Sequence, residues 1–266
     1  MSSKLEELKQ LRKQLNIEIE GLENYPKSKK TLILANHNCL MDIFYLPMAI
    51  PIEHVSVVSS RVLFKNIKER QVTVNKYLNA MPMETGNKKY ATLCLEAISD
   101  LFAQEDVNLN FFPEGAYFSD KKAIYRGRTG ASRVLFHVRD LGIDVSVVPV
   151  AIDVIESLDD IDDFHALNNV VKVKILEPMD YEEDYYKYSH SEDRKMRNEA
   201  FHAVMDKSLQ TIANALEKPY INEYIPLKKK NVILLDGSYV DIPKSNEEAC
   251  LKTYNEHLEE RVKCLY

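Results

Sequence analysis

The sequence predicts an α/β fold: a mostly parallel sheet covered by helices on both faces, an N-terminal amphipathic helix, and a C-terminal hairpin-helix appendage. Three observations carry this. Short apolar runs suited to strands alternate with segments of helical periodicity, the order that builds parallel strands through crossover helices. Two polar clusters, Asn36-His37-Asn38-Cys39-Leu40-Met41-Asp42 and Phe112-Pro113-Glu114-Gly115, each close an apolar run, and open α/β sheets place their sites at strand carboxyl ends. At 266 residues the chain can bury one sizeable core with additions at its ends.

The elements follow in chain order. Leu5, Leu8, Leu11, Leu15, Ile19 and Leu22 recur at three- and four-residue steps, which predicts one apolar stripe on a charged helix over residues 4–22. That stripe either packs on the domain or rests on a membrane or a partner. Strands are expected at 31–35, 55–58, 108–112, 145–152 and 170–176, with helices near 41–50, 88–104 and 129–140 between them. A longer helix over 192–217 puts Phe201, Val204, Met205, Leu209, Ile212 and Leu216 on one face. Runs at 231–235 and 239–242 flank Asp236-Gly237, a pair that tolerates the positive φ angles of a tight hairpin turn. A final amphipathic helix spans 246–264. The organisation expected is therefore an N-terminal helix (1–25), a main domain (26–219) and the appendage (220–266).

Composition narrows the functional classes. Hydrophobic content of 45% with 29% charged residues argues for a folded protein. A net charge of -6 gives no reason to expect nucleic acid, which calls for a basic excess. The longest apolar stretch, 40–52, carries Asp42, Pro47 and Pro51 and falls short of the roughly 20 residues that span a bilayer. No apolar core follows Lys4, so a signal peptide is not expected. Cys39, Cys94, Cys250 and Cys264 fit no zinc spacing. No metal site is expected, and reduced thiols in a cytoplasmic protein fit best.

A histidine released at a strand end, with a carboxylate five positions on at the first turn of a helix, suits proton abstraction. Its unperturbed pKa of about 6.5 makes His37 a natural general base. Asp42 is placed to hold one ring nitrogen and fix the tautomer, and the helix dipole favours its ionised form. With no G-x-S-x-G elbow and no P-loop in the chain, such a pair points to direct attack by a substrate group. The bland reading of His37 is a polar residue satisfied at a strand end. Glu114, between Pro113 and Gly115, either orients an acceptor's hydroxyls or anchors the turn by accepting backbone N–H groups; Gly115 permits a backbone geometry closed to other residues.

Asn36-His37 with Asp42, then Phe112-Pro113-Glu114-Gly115, then Val148-Pro149-Val150-Ala151 resemble the glycerolipid acyltransferases, the 1-acylglycerol-3-phosphate and glycerol-3-phosphate acyltransferases, over residues 30–180. The resemblance implies an α/β fold and transfer of a fatty acyl group from a thioester to a hydroxyl. It implies His37 as general base, Asp42 as its orienter, Glu114 at the acceptor site, and Pro149 in the strand behind an acyl channel. Gly130 resembles the glycine that opens the family's next helix. The chain also departs from the pattern. Thr85 stands where the family carries an arginine in its second motif, and Ala116 and Tyr117 replace the threonine and arginine after the Phe-Pro-Glu-Gly step. Those arginines would clamp the acceptor's phosphate. Lys121, Lys122, Arg126 and Arg128 lie downstream and either substitute for them, hold the phosphates of coenzyme A, meet an acidic carrier protein, or are simply solvated.

The leading expectation is thus an acyltransferase that needs no cofactor beyond its acyl-coenzyme A or acyl carrier protein substrate. A peripheral contact with the cytoplasmic face of a membrane is the further partner to test. The alternatives are acylation of a non-phosphorylated alcohol or amine, a covalent route through Cys39, and a non-catalytic module that binds acyl lipid or carrier.

Overall fold

The computed structural model describes residues 3–13, 15–27, 30–39, 41–50, 52–59, 78–85, 87–116, 122–154, 170–225, 232–233, 239–240 and 247–265. Strands β1 (Asn16–Glu20), β2 (Lys30–Ala35), β3 (His54–Ser59), β4 (Asn79–Met83) and β5 (Asn108–Phe111) join β7 (Val145–Val154) and β8 (Val170–Ile175) in one sheet of order β1-β8-β7-β2-β5-β3-β4. β6 (Ile124–Tyr125) lies outside it, parallel to β9 (Tyr220–Ile221). Every neighbouring pair in the main sheet is parallel except β7 with β8. The helices are α1 (Ser3–Arg12), α2 (Asp42–Ala49), α3 (Lys88–Gln104), α4 (Gly130–Asp140), α5 (Glu182–Ser189), α6 (Arg194–Ala215) and α7 (Glu247–Lys263).

Strand alternation divides the core in two. Leu32, Leu34, Leu109, Phe111, Val145 and Val147 face α3, α4, α6 and α7. Ile33, Ala35, Val148 and Val150 face α2, which buries Tyr45, Leu46 and Ala49 against them. Covering both faces leaves the two ends of the sheet as the places where polar chemistry meets solvent. β2 and β5 run parallel in register, Leu32 beside Leu109, so the chain leaves both at the same edge.

Two expectations need correction. The stripe over 4–22 is not one helix, because α1 ends at Arg12 and residues 16–20 form edge strand β1. Ile17 and Ile19 alternate with Glu18 and Glu20, a period of two, and pack partly buried against the α2-side core. Glu18 and Glu20 lie beside Lys172 and Lys174 of β8 at 3.4 and 3.8 Å, a cross-strand charge ladder that favours pairing over continued helix. Gly21 then turns the chain out with φ of 72°, and a Cβ there would sit 2.1 Å from the Ile175 carbonyl oxygen. The side chains of Leu5, Leu8 and Leu11 lie outside the described residues.

The second correction is β4, a strand that the sequence hid behind Pro82. Proline is tolerated because β4 is an edge strand, where the missing N–H removes no ladder bond. At the C-terminus, β10 (Val232–Ile233) pairs antiparallel with β11 (Tyr239–Val240); the Asp236-Gly237 turn lies outside the described residues. Helix α7 packs on α3. It buries Tyr254 and Leu258 in the larger core beside Tyr90 and Cys94, and Arg261 Nε donates to the Ala80 carbonyl at 2.9 Å. No helix among the described residues is long and apolar enough to cross a membrane.

Candidate active site

The chain leaving β2 is tied down residue by residue. Asn36, fully buried, donates Nδ2 to the Ile152 carbonyl (2.9 Å) and accepts the Ile152 N–H (2.8 Å), so its side chain continues the β-ladder after the backbone turns away. Asn38 Nδ2 donates to the same carbonyl at 2.7 Å. His37 is thereby pinned between two asparagines anchored on β7. The sequence displayed Asn36 and Asn38 beside the histidine, but their common partner is more than a hundred residues away and had no local signal.

Asp42 opens α2 and is fully buried. Its Oδ2 accepts from His37 Nδ1 at 3.0 Å, from the Asn38 N–H at 2.5 Å and from the Cys39 N–H at 2.8 Å. With the carboxylate as acceptor, Nδ1 is the donor nitrogen of the ring and Nε2 the acceptor nitrogen. The histidine side chain is 12% exposed, and its ring stacks on Phe112 with centroids 4.7 Å apart. Imidazole is thus held from one edge and one face, with little freedom to turn. Cys39 Sγ lies 3.5 Å from Asp42 Oδ1.

Glu114 reaches the same loop from the end of β5. Its Oε2 accepts the His37 N–H at 2.8 Å and its Oε1 accepts the Tyr125 N–H at 2.9 Å. Each oxygen thus accepts a backbone N–H, and the carboxylate staples the histidine loop, the Phe-Pro-Glu-Gly turn and β6 together. Gly115 takes φ of 71°, and the Arg128 stem lies where a Cβ would point. Burial pushes the Glu114 carboxyl up to about 7, against the two N–H bonds and the nearby His37, which lower it. A folded-state pKa raised above the ordinary carboxylate value means that folding takes up a proton. This contribution to stability is full below about pH 4.5 and is lost as pH rises through about 7. Protonation also converts one acceptor into a donor, so one of the two staples loosens in acid. Thermal unfolding followed from pH 5 to 8 should show a falling contribution in the wild type that Glu114→Gln lacks; equal slopes would show that Glu114 does not titrate there.

The basic stretch divides. Arg126 donates Nε and Nη2 to the two oxygens of Asp206 at 3.2 and 3.0 Å, and the Tyr220 hydroxyl donates to the same carboxylate at 2.6 Å. Asp206 meets the Nε–Nη2 edge of this guanidinium and so joins the β6 segment to α6. Arg128 donates Nη2 to the Ile225 carbonyl at 2.7 Å, while its Nε is buried without a partner. Lys122 is exposed. Lys121 and Tyr117 lie outside the described residues. Pro149 is buried within β7, and Gly130 opens α4.

Beside the Glu114 turn runs a mostly apolar groove of about 230 Å³, lined by Met83, Thr85, Leu95, Phe112, Pro113 and Arg128 among others. It abuts the Phe112 ring on which His37 rests. Among the described residues no group of His, Cys, Asp and Glu is arranged to hold a metal ion.

Fold and site together define an α/β protein with a carboxylate-held histidine at the carboxyl edge of its sheet, next to an apolar groove. The chain belongs to the Acyltransferase family, whose model matches residues 16–153, and the protein is an acyltransferase. No curated protein matches the chain. Among solved structures it is similar to the 1-acyl-sn-glycerophosphate (LPA) acyltransferase, PlsC, from Thermotoga maritima, at 18% identity over 78% of this chain and 79% of that one, with a TM-score of 0.49.

Proposed function

We propose that the protein moves an acyl group from an acyl thioester, on coenzyme A or a carrier protein, to a hydroxyl of a glycerolipid-type acceptor, with His37 as general base. The observation that carries this is the Asp42–His37 bond, which supports a tautomer with the hydrogen on Nδ1 and Nε2 as acceptor. In this reading Nε2 takes the acceptor's hydroxyl proton as its oxygen attacks the thioester carbonyl. The tetrahedral intermediate then collapses with cleavage of the C–S bond, and the imidazolium returns the proton to the departing thiolate. Asp42 stabilises the imidazolium between these steps. The apolar groove suits an acyl chain, and a peripheral place on the cytoplasmic face of a membrane suits lipid substrates. Purified protein offered acyl thioesters with a panel of alcohols, amines and lysolipids should yield an acylated product identifiable by mass spectrometry. An acylated amine with no acylated alcohol would overturn the choice of acceptor.

Direct transfer requires no acyl-enzyme. Cys39 Sγ donates to Asp42 Oδ1, which ties the thiol into the loop. Cys39→Ala should therefore keep most of the activity. An acyl group trapped on Cys39 and released by hydroxylamine would establish the covalent route instead.

A further inference from the structure

A second cavity, of about 550 Å³, opens where the first turns of α3 and α6 meet α4, and its lining includes Lys88, Arg133, Glu192, Arg194, Arg197 and Asn198. It shares Ala91, Leu95 and Arg133 with the apolar groove, so the two are continuous along one wall. Four cations face one carboxylate here, in a chain whose net charge is -6. Two of the guanidinium groups, those of Arg133 and Arg197, are held in place without an ion pair among the described residues. Arg133 donates to Thr129 Oγ1 and Asn198 Oδ1, both at 3.2 Å, and lies 4.5 Å over the Phe201 ring. Arg197 lies 4.3 Å over the Tyr188 ring. Neither Lys88 nor Arg194 has a side-chain hydrogen bond or ion pair among the described residues. Burial, and then the charge of Arg194, lower the Arg133 pKa.

Four cations against one carboxylate, two of them oriented on aromatic faces and none in an ion pair among the described residues, are suited to phosphate, which a guanidinium meets bidentately. We infer that this cavity binds the phosphate ester groups of a substrate of the transfer reaction, with the nucleotide end of a coenzyme A thioester as their source. A cavity of this size takes a nucleotide. Thr85 at the groove lip supplies no charge, the groove's Arg128 donates to the Ile225 carbonyl, and Arg133 belongs to both cavities, which leaves the donor as the better source. The assignment of the source rests on the acyl-transfer reading; the phosphate chemistry does not.

Arg194 and Arg197 are exposed on the first turns of α6, so Arg194→Glu and Arg197→Glu are expected to fold, as circular dichroism will check. Calorimetric titration of the wild type with adenosine 3′,5′-bisphosphate should show binding that weakens with salt and falls about tenfold or more with each reversal. In kinetics, the KM for acyl-coenzyme A relative to the same acyl group on N-acetylcysteamine should rise by a similar factor. Loss of affinity for glycerol 3-phosphate in place of the nucleotide would keep the phosphate pocket and move its source to the acceptor. Wild type and variants binding both phosphate probes equally, or not at all, would overturn the pocket even if acyl transfer proceeds. Charge-dependent phosphate binding without acylation of any acceptor would uphold the pocket and sink the proposed reaction.

Discussion

His37→Ala is expected to lower the rate of acyl transfer by at least about 10²-fold, the usual cost of losing a general base, while thioester binding persists. The fold should survive the change. The Asp42 carboxylate keeps the Asn38 and Cys39 N–H groups, and the residue 37 N–H still meets Glu114. Steady-state kinetics with a thioester and an alcohol, paired with a binding measurement for the thioester alone, separate the two effects. Activity near wild type would remove His37 from the chemistry.

Asp42→Asn should be nearly as costly, lowering kcat by about 10²–10⁴-fold. One oxygen accepts from three donors in this loop, and asparagine can offer an oxygen at the same place. What it removes is the charge that stabilises a protonated imidazole. Hydrogen bonds to a neutral acceptor are also weaker, so a stability loss of about 1–3 kcal/mol is expected alongside. Asp42→Ala would strand three donors in a buried loop and confuse unfolding with chemistry, which makes the asparagine variant the informative one. If Asp42→Asn lost stability yet kept its kcat, the carboxylate would be a loop anchor only.

The central sheet was legible because most of its strands are short runs rich in apolar and β-branched residues. Runs at 31–35, 55–58, 108–112, 145–152 and 170–176 fall on β2, β3, β5, β7 and β8. β1 was misread because Leu15, Ile19 and Leu22 fit a helical step while Ile17 and Ile19 fit a strand step, and only the lysines of β8 decide between them. α5 gave no apolar stripe because its core face is built of Tyr185 and Tyr188, packed on Phe136 and Phe201. His37 and Asp42 were readable since both sit in one turn. Glu114 showed as a constrained carboxylate, but the choice between ligand and backbone depended on where the His37 N–H lies in space. Arg126 likewise looked like a free cation until Asp206, on a helix eighty residues later, came alongside. The cationic cavity draws on residues 88, 133, 194 and 197, and no window of the sequence contains it.

The staple made by Glu114 has a consequence for the order in which the enzyme becomes active. During synthesis His37 emerges well before Glu114, and Ile152, which holds both flanking asparagines, emerges later still. Each closure joins distant parts of the chain, and such contacts form only after the entropy of closing long loops has been met. The base therefore has no fixed direction until β2, β5 and β7 lie side by side. The amide hydrogen of His37 should exchange with solvent only through openings that separate those strands. A partly folded chain would carry every catalytic group and still be silent, which keeps a reactive thioester from meeting an unfinished site.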